Sequence, residues 1–474
     1  MAAPGITPSS SEAIASPAIP WWVFAAVVLL AAVLHFGGLG TAGLTPDESY
    51  TAVASARPVG DLLAFIRETD PHPPLSYLLE KPALAVADSN AALRFLPALF
   101  STLAVAAMAV WQRREGVAGL TATVLLAVAP EQLLYGRQAR MYGLLVLAGV
   151  VVAWASCRWL AGASRRWGAV AAAAATVAAL SHSTGFVLLA GLLLVPWLRR
   201  DREAWALRAM AGAGVVVTAV VFAPVALDRA GDRTFYPRTS LGWVTTTVNE
   251  QLAPVPAQKW LVIALLVVGG TLLIRRGGPQ ARVWLALFAA PLLGLVLVSF
   301  RVPLLLPKSV LSLSWGVVLA LGALVGAAWK RLPVAGIAVA ALLALLTVPY
   351  VAEARAKDEG AGRMAATVSA QAVDGDVVAV RPENLGTLVE WQLGRIEGRV
   401  LHPVTTPWDV TVAWRVGAGP PTGRTWLVES PDRVLSDVDA DLDAGTSCGP
   451  ERVPVGGEFL LSCLDDVPVE DAGG

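Results

Sequence analysis

Charge is the scarcest resource in this chain. Only 15% of its 474 residues are Asp, Glu, Lys or Arg, where a soluble domain carries roughly a quarter. Acids and bases number 36 each, so the formal net charge is zero and no electrostatic signal points to nucleic acid. Cysteine is nearly as rare. Cys157, Cys448 and Cys463 are too few for a disulfide scaffold or a zinc cluster. Histidine occurs four times, and no internal repeat is evident.

Apolar residues fill the chain instead: 55% are hydrophobic and the mean hydropathy is +0.61. Long apolar runs recur, each near the ~20 residues that cross a bilayer as a helix. The pattern predicts a multi-span α-helical membrane protein with spans at about 20–38, 92–111, 117–134, 141–160, 167–182, 184–198, 206–227, 259–274, 282–300, 309–328 and 332–350. That makes about eleven spans. The first 19 residues contain no Lys or Arg and are expected to form a disordered tail. The run that follows has no basic n-region and no convincing cleavage site, so it is taken as an uncleaved first span.

Basic residues in short loops set the orientation. QRREG at 112–116, RWLAGASRRW at 158–167, RRDREAWALR at 199–208, RRGGPQAR at 275–282 and KR at 330–331 fall on one side, the expected cytoplasmic face. The other side carries the 39–91 loop, 135–142, 181–185, 228–258 and 300–309. The C-terminal region therefore lies outside a plasma membrane crossed many times. From about 351 the apolar runs shorten to strand length, as in 377–380, 425–429 and 459–464, with helix-like stretches at 361–373 and 384–393. This predicts a small extracytoplasmic α/β domain over 351–474, separate from the 20–350 transmembrane part. Cys448 and Cys463 both lie in it, either paired in an oxidising compartment or unpaired in its core.

The densest polar chemistry sits in the first outer loop, TPDESYTAVASARPVGDLLAFIRETDPHPPLSY. Thr45-Pro46-Asp47-Glu48 has the form of a helix start, with Thr45 as N-cap, Pro46 in the first turn and Glu48 closing a capping box. A cap accounts for Glu48 but leaves Asp47 unassigned. The next stretch places Leu62, Phe65 and Ile66 on one face, as in an amphipathic helix lying in the membrane interface. Asp70-Pro71-His72-Pro73-Pro74 forms a rigid turn before a second such helix, from about Leu75 to Val86. A lone histidine is more often structural than a ligand, but His72 stands near an acid pair.

These signals, in this order and on this side, resemble the polyprenyl-phosphate-sugar glycosyltransferases of the GT-C fold. That group includes protein O-mannosyltransferases, the aminoarabinose transferases of lipid A and many bacterial mannosyltransferase-like proteins. The residues that carry the resemblance are Asp47-Glu48 followed by Tyr50, then His72-Pro73-Pro74-Leu75, then Gly136-Arg137-Gln138-Ala139-Arg140-Met141-Tyr142, then Ser181-His182. It covers about 20–350. The chain departs at Pro307-Lys308-Ser309, where many relatives carry an Arg-Tyr pair.

The resemblance implies transfer of a monosaccharide, mannose by default, from a polyprenyl-phosphate donor to an extracytoplasmic acceptor that is a glycan, a lipid or a protein. Inverting displacement needs one carboxylate to deprotonate the acceptor hydroxyl and cations to steady the phosphate leaving group. Asp47 is the expected general base, with Glu48 as a second acid. Arg137, Arg140, His72, Tyr50, Tyr142, His182 and Lys308 are the expected substrate-binding groups. Two arginines three apart suit one helical face, although snorkelling at the interface is the usual fate of such residues. No cofactor is assigned; a divalent metal held by His72 with Asp47 or Glu48 stays open. Arg229, Arg233, Tyr236, Arg238 and Trp243 in the 228–258 loop either order over a substrate or form a plain connection. The alternative reading is a transporter or flippase of lipid-linked sugars, which would place charges and broken helices inside the spans. The Ala-, Val- and Leu-rich spans favour chemistry at the outer surface. A third reading makes the spans an anchor for the C-terminal domain, for which eleven are excessive.

Overall fold

The computed structural model describes residues 19–347 apart from 42, 70–71, 163, 199–201, 229–238, 251–258 and 303–304. Beyond these it describes 366–368, 370–381, 386–394, 401–405, 412–417, 421–429, 453–455, 459–465, 467 and 470–471. The expected N-terminal tail lies outside the described residues, but for residue 19.

The helices run α1 Trp21–Phe36, α2 Pro46–Ala56, α3 Val59–Thr69, α4 Leu75–Val86, α5 Asn90–Gln112, α6 Val117–Val128, α7 Pro130–Tyr135, α8 Tyr142–Leu160 and α9 Arg165–Ser181. They continue as α10 Phe186–Leu194, α11 Arg202–Asp228, α12 Leu241–Glu250, α13 Lys259–Arg276, α14 Gly278–Trp284, α15 Ala290–Ser299, α16 Ser314–Arg331 and α17 Pro333–Thr347. A π-helical turn, Leu285–Ala289, joins α14 to α15. A 3-10 segment, Pro307–Leu313, leads into α16.

Each segment expected to cross the membrane is helical. Among the described residues, five helical stretches are long and apolar enough to span: Asn90–Gln112, Tyr142–Leu160, Ala204–Phe222, Gly278–Ser299 and Pro307–Arg331. Four shorter apolar helices accompany them: Trp21–Phe36, Val117–Val128, Ser183–Leu198 and Pro333–Leu345. The break expected near Ser181–Gly185 is real. His182 leaves the helical conformation and its ring caps a short 3-10 turn over Ser183–Gly185.

Small residues bring the backbones together. Without a hydrophobic difference between helix and lipid tail, membrane helices associate by close packing. A Cβ at Gly149 on α8 would run into the carbonyl oxygen of Ser312, and one at Gly322 on α16 into that of Ala118. The first of these contacts seats the 3-10 segment that carries Lys308. The buried core includes Trp159, Trp315, Tyr142 and Leu145, drawn from α8, α16 and their neighbours.

The helices α2, α3 and α4 pack together and against α5, α9 and α11. The apolar face of α3 differs from the expectation of a helix resting in lipid. Leu62 and Ile66 are buried against Ala54 and Tyr77, because α2 and α4 offer protein surface to that face.

The C-terminal part is a seven-stranded sheet. Its strands are β1 Val377–Arg381, β2 Leu401–Thr405, β3 Val412–Val416, β4 Arg424–Glu429, β5 Val453–Val455, β6 Phe459–Asp465 and β7 Glu470–Asp471. The order is β5-β6-β4-β1-β3-β2-β7. Among the described residues only β1 and β4 pair in parallel. Buried Asp376, beside β1, collects Thr422 Oγ1 at 2.6 Å, Arg424 Nη2 at 2.9 Å and Trp426 Nε1 at 2.8 Å. Cys463 on β6 is disulfide-bonded. Cys448 lies outside the described residues, and Cys157 is buried and free.

One helix of this part, α18 Gly386–Gly394, lies along α2. Ser49 and Thr387 share a buried hydrogen bond of 2.6 Å, and Arg57 pairs with Glu390 at 3.3 Å. Ala52 and Val53 of α2 pack into one apolar cluster with Val389 and Trp391.

Overpacking a filled interior costs ~1–3 kcal/mol. Gly149→Ala is therefore expected to lower the thermal midpoint of the detergent-solubilised protein, read by intrinsic fluorescence. An unchanged midpoint would contradict the close approach of α8 to residue 312.

Candidate functional site

The capping box places two acids in the first turn of α2, where the helix dipole favours negative charge. Thr45 Oγ1 accepts from Glu48 N at 3.2 Å, and Glu48 Oε2 accepts from Thr45 N at 2.9 Å. The two carboxylates then part company.

Glu48 turns inward and is fully buried. Its Oε1 accepts from Arg94 Nε at 2.6 Å and Ala139 N at 2.8 Å. Its Oε2 accepts from Arg94 Nη2 at 2.6 Å, besides Thr45 N at 2.9 Å and Thr45 Oγ1 at 3.2 Å. A carboxylate offers about four lone-pair sites, so these donors use them all. Glu48, expected as a second catalytic acid or metal ligand, is thus a bolt joining α2, α5 and the 136–141 loop. Among the described residues no group of three His, Cys, Asp or Glu side chains is placed to hold a metal ion.

Asp47 turns toward the 3-10 segment. Its Oδ2 accepts from Lys308 Nζ at 2.8 Å, across 261 positions of sequence. Asp47 keeps 43% of its side-chain surface and Lys308 keeps 27%, so a solute can reach both. Burial alone would push the Asp47 carboxyl up. The opposing charges of Lys308, Arg140 and His72 outweigh it and hold the carboxyl well below the usual carboxylate range.

Arg140 is buried and donates to the phenol oxygen of Tyr77 at 3.1 Å. Arg137 is placed elsewhere. Its Nη2 donates to the carbonyl of Gly37 at 2.7 Å, at the end of α1. The expectation that the two arginines share a helical face is wrong. Residues 136–141 are a turn, and the Ala139 amide is drawn to Glu48 instead of a helical carbonyl. Arg140 faces the acid; Arg137 ties down a span end.

Aromatic rings complete the surroundings. His72 stacks on His182 with centroids 4.2 Å apart. His182 lies 5.8 Å from Tyr142, and Tyr142 lies 5.3 Å from Tyr135. His182 Nδ1 accepts from Thr184 N at 3.0 Å, so the ring proton sits on Nε2 and the ring is neutral. Tyr50 packs on Phe65 of α3, with centroids 6.4 Å apart. In the 228–258 loop, Trp243 Nε1 donates to Leu305 O at 2.6 Å, while Arg229, Arg233, Tyr236 and Arg238 lie outside the described residues.

The structure therefore gathers Asp47, Lys308, Arg140, His72, His182 and Tyr142, and sets Glu48, Arg137 and Tyr50 to packing or tethering contacts. Arg94, Tyr77 and Tyr135 were not foreseen. Arg94 in the first turn of a span looks like any interfacial arginine. Only the pairing of a lone buried cation with a buried acid would have flagged it. Chemically, the site presents one accessible carboxylate against two cations beside an aromatic wall. That suits an anion, and a hydroxyl to be deprotonated.

Comparison with known proteins bears on this arrangement. Residues 71–227 match the family model described as dolichyl-phosphate-mannose-protein mannosyltransferase, a stretch that holds His72, Arg140, Tyr142 and His182 but neither Asp47 nor Lys308. No curated protein sequence matches the chain. Among solved structures, ArnT from Cupriavidus metallidurans bound to undecaprenyl phosphate superposes with a TM-score of 0.58 at 15% identity, over 93% of this chain and 97% of that one. Its apo form gives a TM-score of 0.56 over the same shares. The S. cerevisiae Pmt1-Pmt2 complex bound to the sugar donor overlaps less: 17% identity, 44% of this chain, 32% of that one and a TM-score of 0.34. The fold is that of ArnT, the GT-C architecture of membrane glycosyltransferases expected from the sequence.

Two outcomes follow. Removing one partner of a buried ion pair costs ~3–5 kcal/mol, so Arg94→Met is expected to lower the thermal midpoint sharply, and midpoints equal to wild type would contradict the bolt. The lowered Asp47 carboxyl stabilises the fold fully above the unfolded value of ~3.9 and loses that contribution only as pH falls through the folded value. The difference in midpoint between wild type and Asp47→Asn should hold constant between about pH 8 and pH 5. A difference that vanishes near neutrality would contradict the pairing.

Proposed function

We propose that this chain is an integral-membrane glycosyltransferase. It transfers a monosaccharide, with mannose as the first candidate, from a polyprenyl-phosphate donor to a glycan, lipid or protein hydroxyl on the extracytoplasmic face. The carrying observation is the Asp47–Lys308 pair at 2.8 Å with Arg140 beside it, in an ArnT-like fold. The basic loops on the opposite side and the disulfide of Cys463 support the outward orientation, and the 351–474 part is assigned as the outer domain.

In this reading Asp47 Oδ takes the proton of the acceptor hydroxyl. The acceptor oxygen bonds to the anomeric carbon as the bond from that carbon to the phosphate oxygen breaks. The configuration inverts and polyprenyl phosphate leaves. Lys308 and Arg140 balance the charge that grows on the leaving phosphate. His72, His182 and Tyr142 form a wall for the sugar ring. Glu48 keeps Asp47 in place without touching substrate.

The test is sugar transfer from radiolabelled polyprenyl-phosphate mannose by membranes bearing matched amounts of wild type or Asp47→Asn. Loss of a general base costs ~10²–10⁴-fold. Wild type should consume the donor and the variant should fall by that factor while still unfolding in one cooperative thermal transition. Near-normal transfer by the variant would remove Asp47 from the chemistry. If wild type fails with mannose and with every other lipid-linked sugar offered, the transferase reading fails.

A further inference from the structure

We propose that Lys308 changes partner during the reaction: in the empty site its ammonium holds Asp47, and the donor phosphate takes that ammonium and releases the carboxylate, so the donor must bind before the acceptor is activated. This rests on the donor reading above and specifies how that site is gated.

Four observations carry it. First, Glu48 is saturated by Arg94, Ala139 and Thr45, so Asp47 is the carboxylate left facing the site. Second, Asp47 is itself engaged at 2.8 Å. A carboxylate in contact with an ammonium is a poor proton acceptor, so a base in this state needs its cation removed. Third, the pair is not sealed. Side-chain exposures of 43% and 27% leave room for a phosphate oxygen to approach Lys308. Fourth, the cation is a lysine, a point charge on a flexible four-carbon stem, carried on a 3-10 segment beside α8. Such a group can swing between two oxygens without moving backbone. Arg140 is bound to Tyr77 and stays as the fixed cation that draws the anion in.

The exchange also explains why an outward-facing base with no donor present stays inert toward water and free hydroxyls. Its proton affinity rises only when the leaving group is in place.

The experiment uses undecaprenyl phosphate, which carries no sugar and so cannot turn over, titrated into the purified full-length chain in nanodiscs. Four proteins are compared: wild type, Asp47→Asn, Lys308→Met and the double variant, each checked by thermal midpoint. Lys308→Gln replaces Lys308→Met if the latter does not fold. Asp47→Asn is expected to tighten binding about tenfold, the scale of one charge-assisted hydrogen bond no longer broken. Lys308→Met is expected to weaken it by a similar factor. In the Lys308→Met background, Asp47→Asn should change affinity less than about twofold, because there is no ammonium left to compete for. Equal tightening in both backgrounds would mean simple repulsion between Asp47 and phosphate and would overturn the exchange, as would no tightening at all. Wild type that binds no lipid phosphate would overturn the donor reading, and the exchange with it.

Discussion

The arrangement of this protein turns on a buried carboxylate whose lone pairs are all taken by protein donors. Glu48 gathers donors from its own N-cap, from Arg94 in α5 and from the Ala139 amide. Three segments are tied together by one side chain. The cost of burying a charge forces this degree of saturation. Its consequence is that the neighbouring position on α2 is aimed away from the core. Asp47 looks outward because Glu48 looks inward.

The second constraint comes from the far end of the sequence. The 3-10 segment Pro307–Leu313 is seated on α8 where Gly149 leaves room for its backbone. It delivers Lys308 opposite Asp47. The C-terminal sheet part adds a third brace, with α18 along α2 through Ser49, Thr387, Arg57 and Glu390. The half-buried Arg57–Glu390 pair is a single ion pair still open to solvent and contributes modestly on its own. The buried apolar contacts beside it do most of the holding. The helix α2 that carries Asp47 is thereby braced from the helical part and from the C-terminal sheet part together.

Much of this was legible in the sequence because the signals are local. Thr45-Pro46-Asp47-Glu48 writes out a capping box, and a capping box formed. The run Leu75–Val86 became a helix with those bounds. Hydropathy located the apolar helices, and β1, β4 and β6 were visible as short apolar runs. Strand β2 was not, since Leu401–Thr405 carries Pro403 in its interior, a residue that argues against a paired strand. The site was half legible. The resemblance to the GT-C glycosyltransferases pointed to Asp47, His72, Arg140, Tyr142, His182 and Lys308, which the structure brings together. The division of labour between Asp47 and Glu48, and between Arg137 and Arg140, depends on contacts across 46 to 261 positions. Spacing along one chain carries no information about such partners.

A structure of the wild-type chain in nanodiscs with undecaprenyl phosphate tests the account most directly. The account predicts the phosphate within hydrogen-bond distance of Lys308 Nζ, with Arg140 alongside and the Asp47–Lys308 contact opened. A phosphate bound elsewhere, with the Asp47–Lys308 pair still closed, would contradict it.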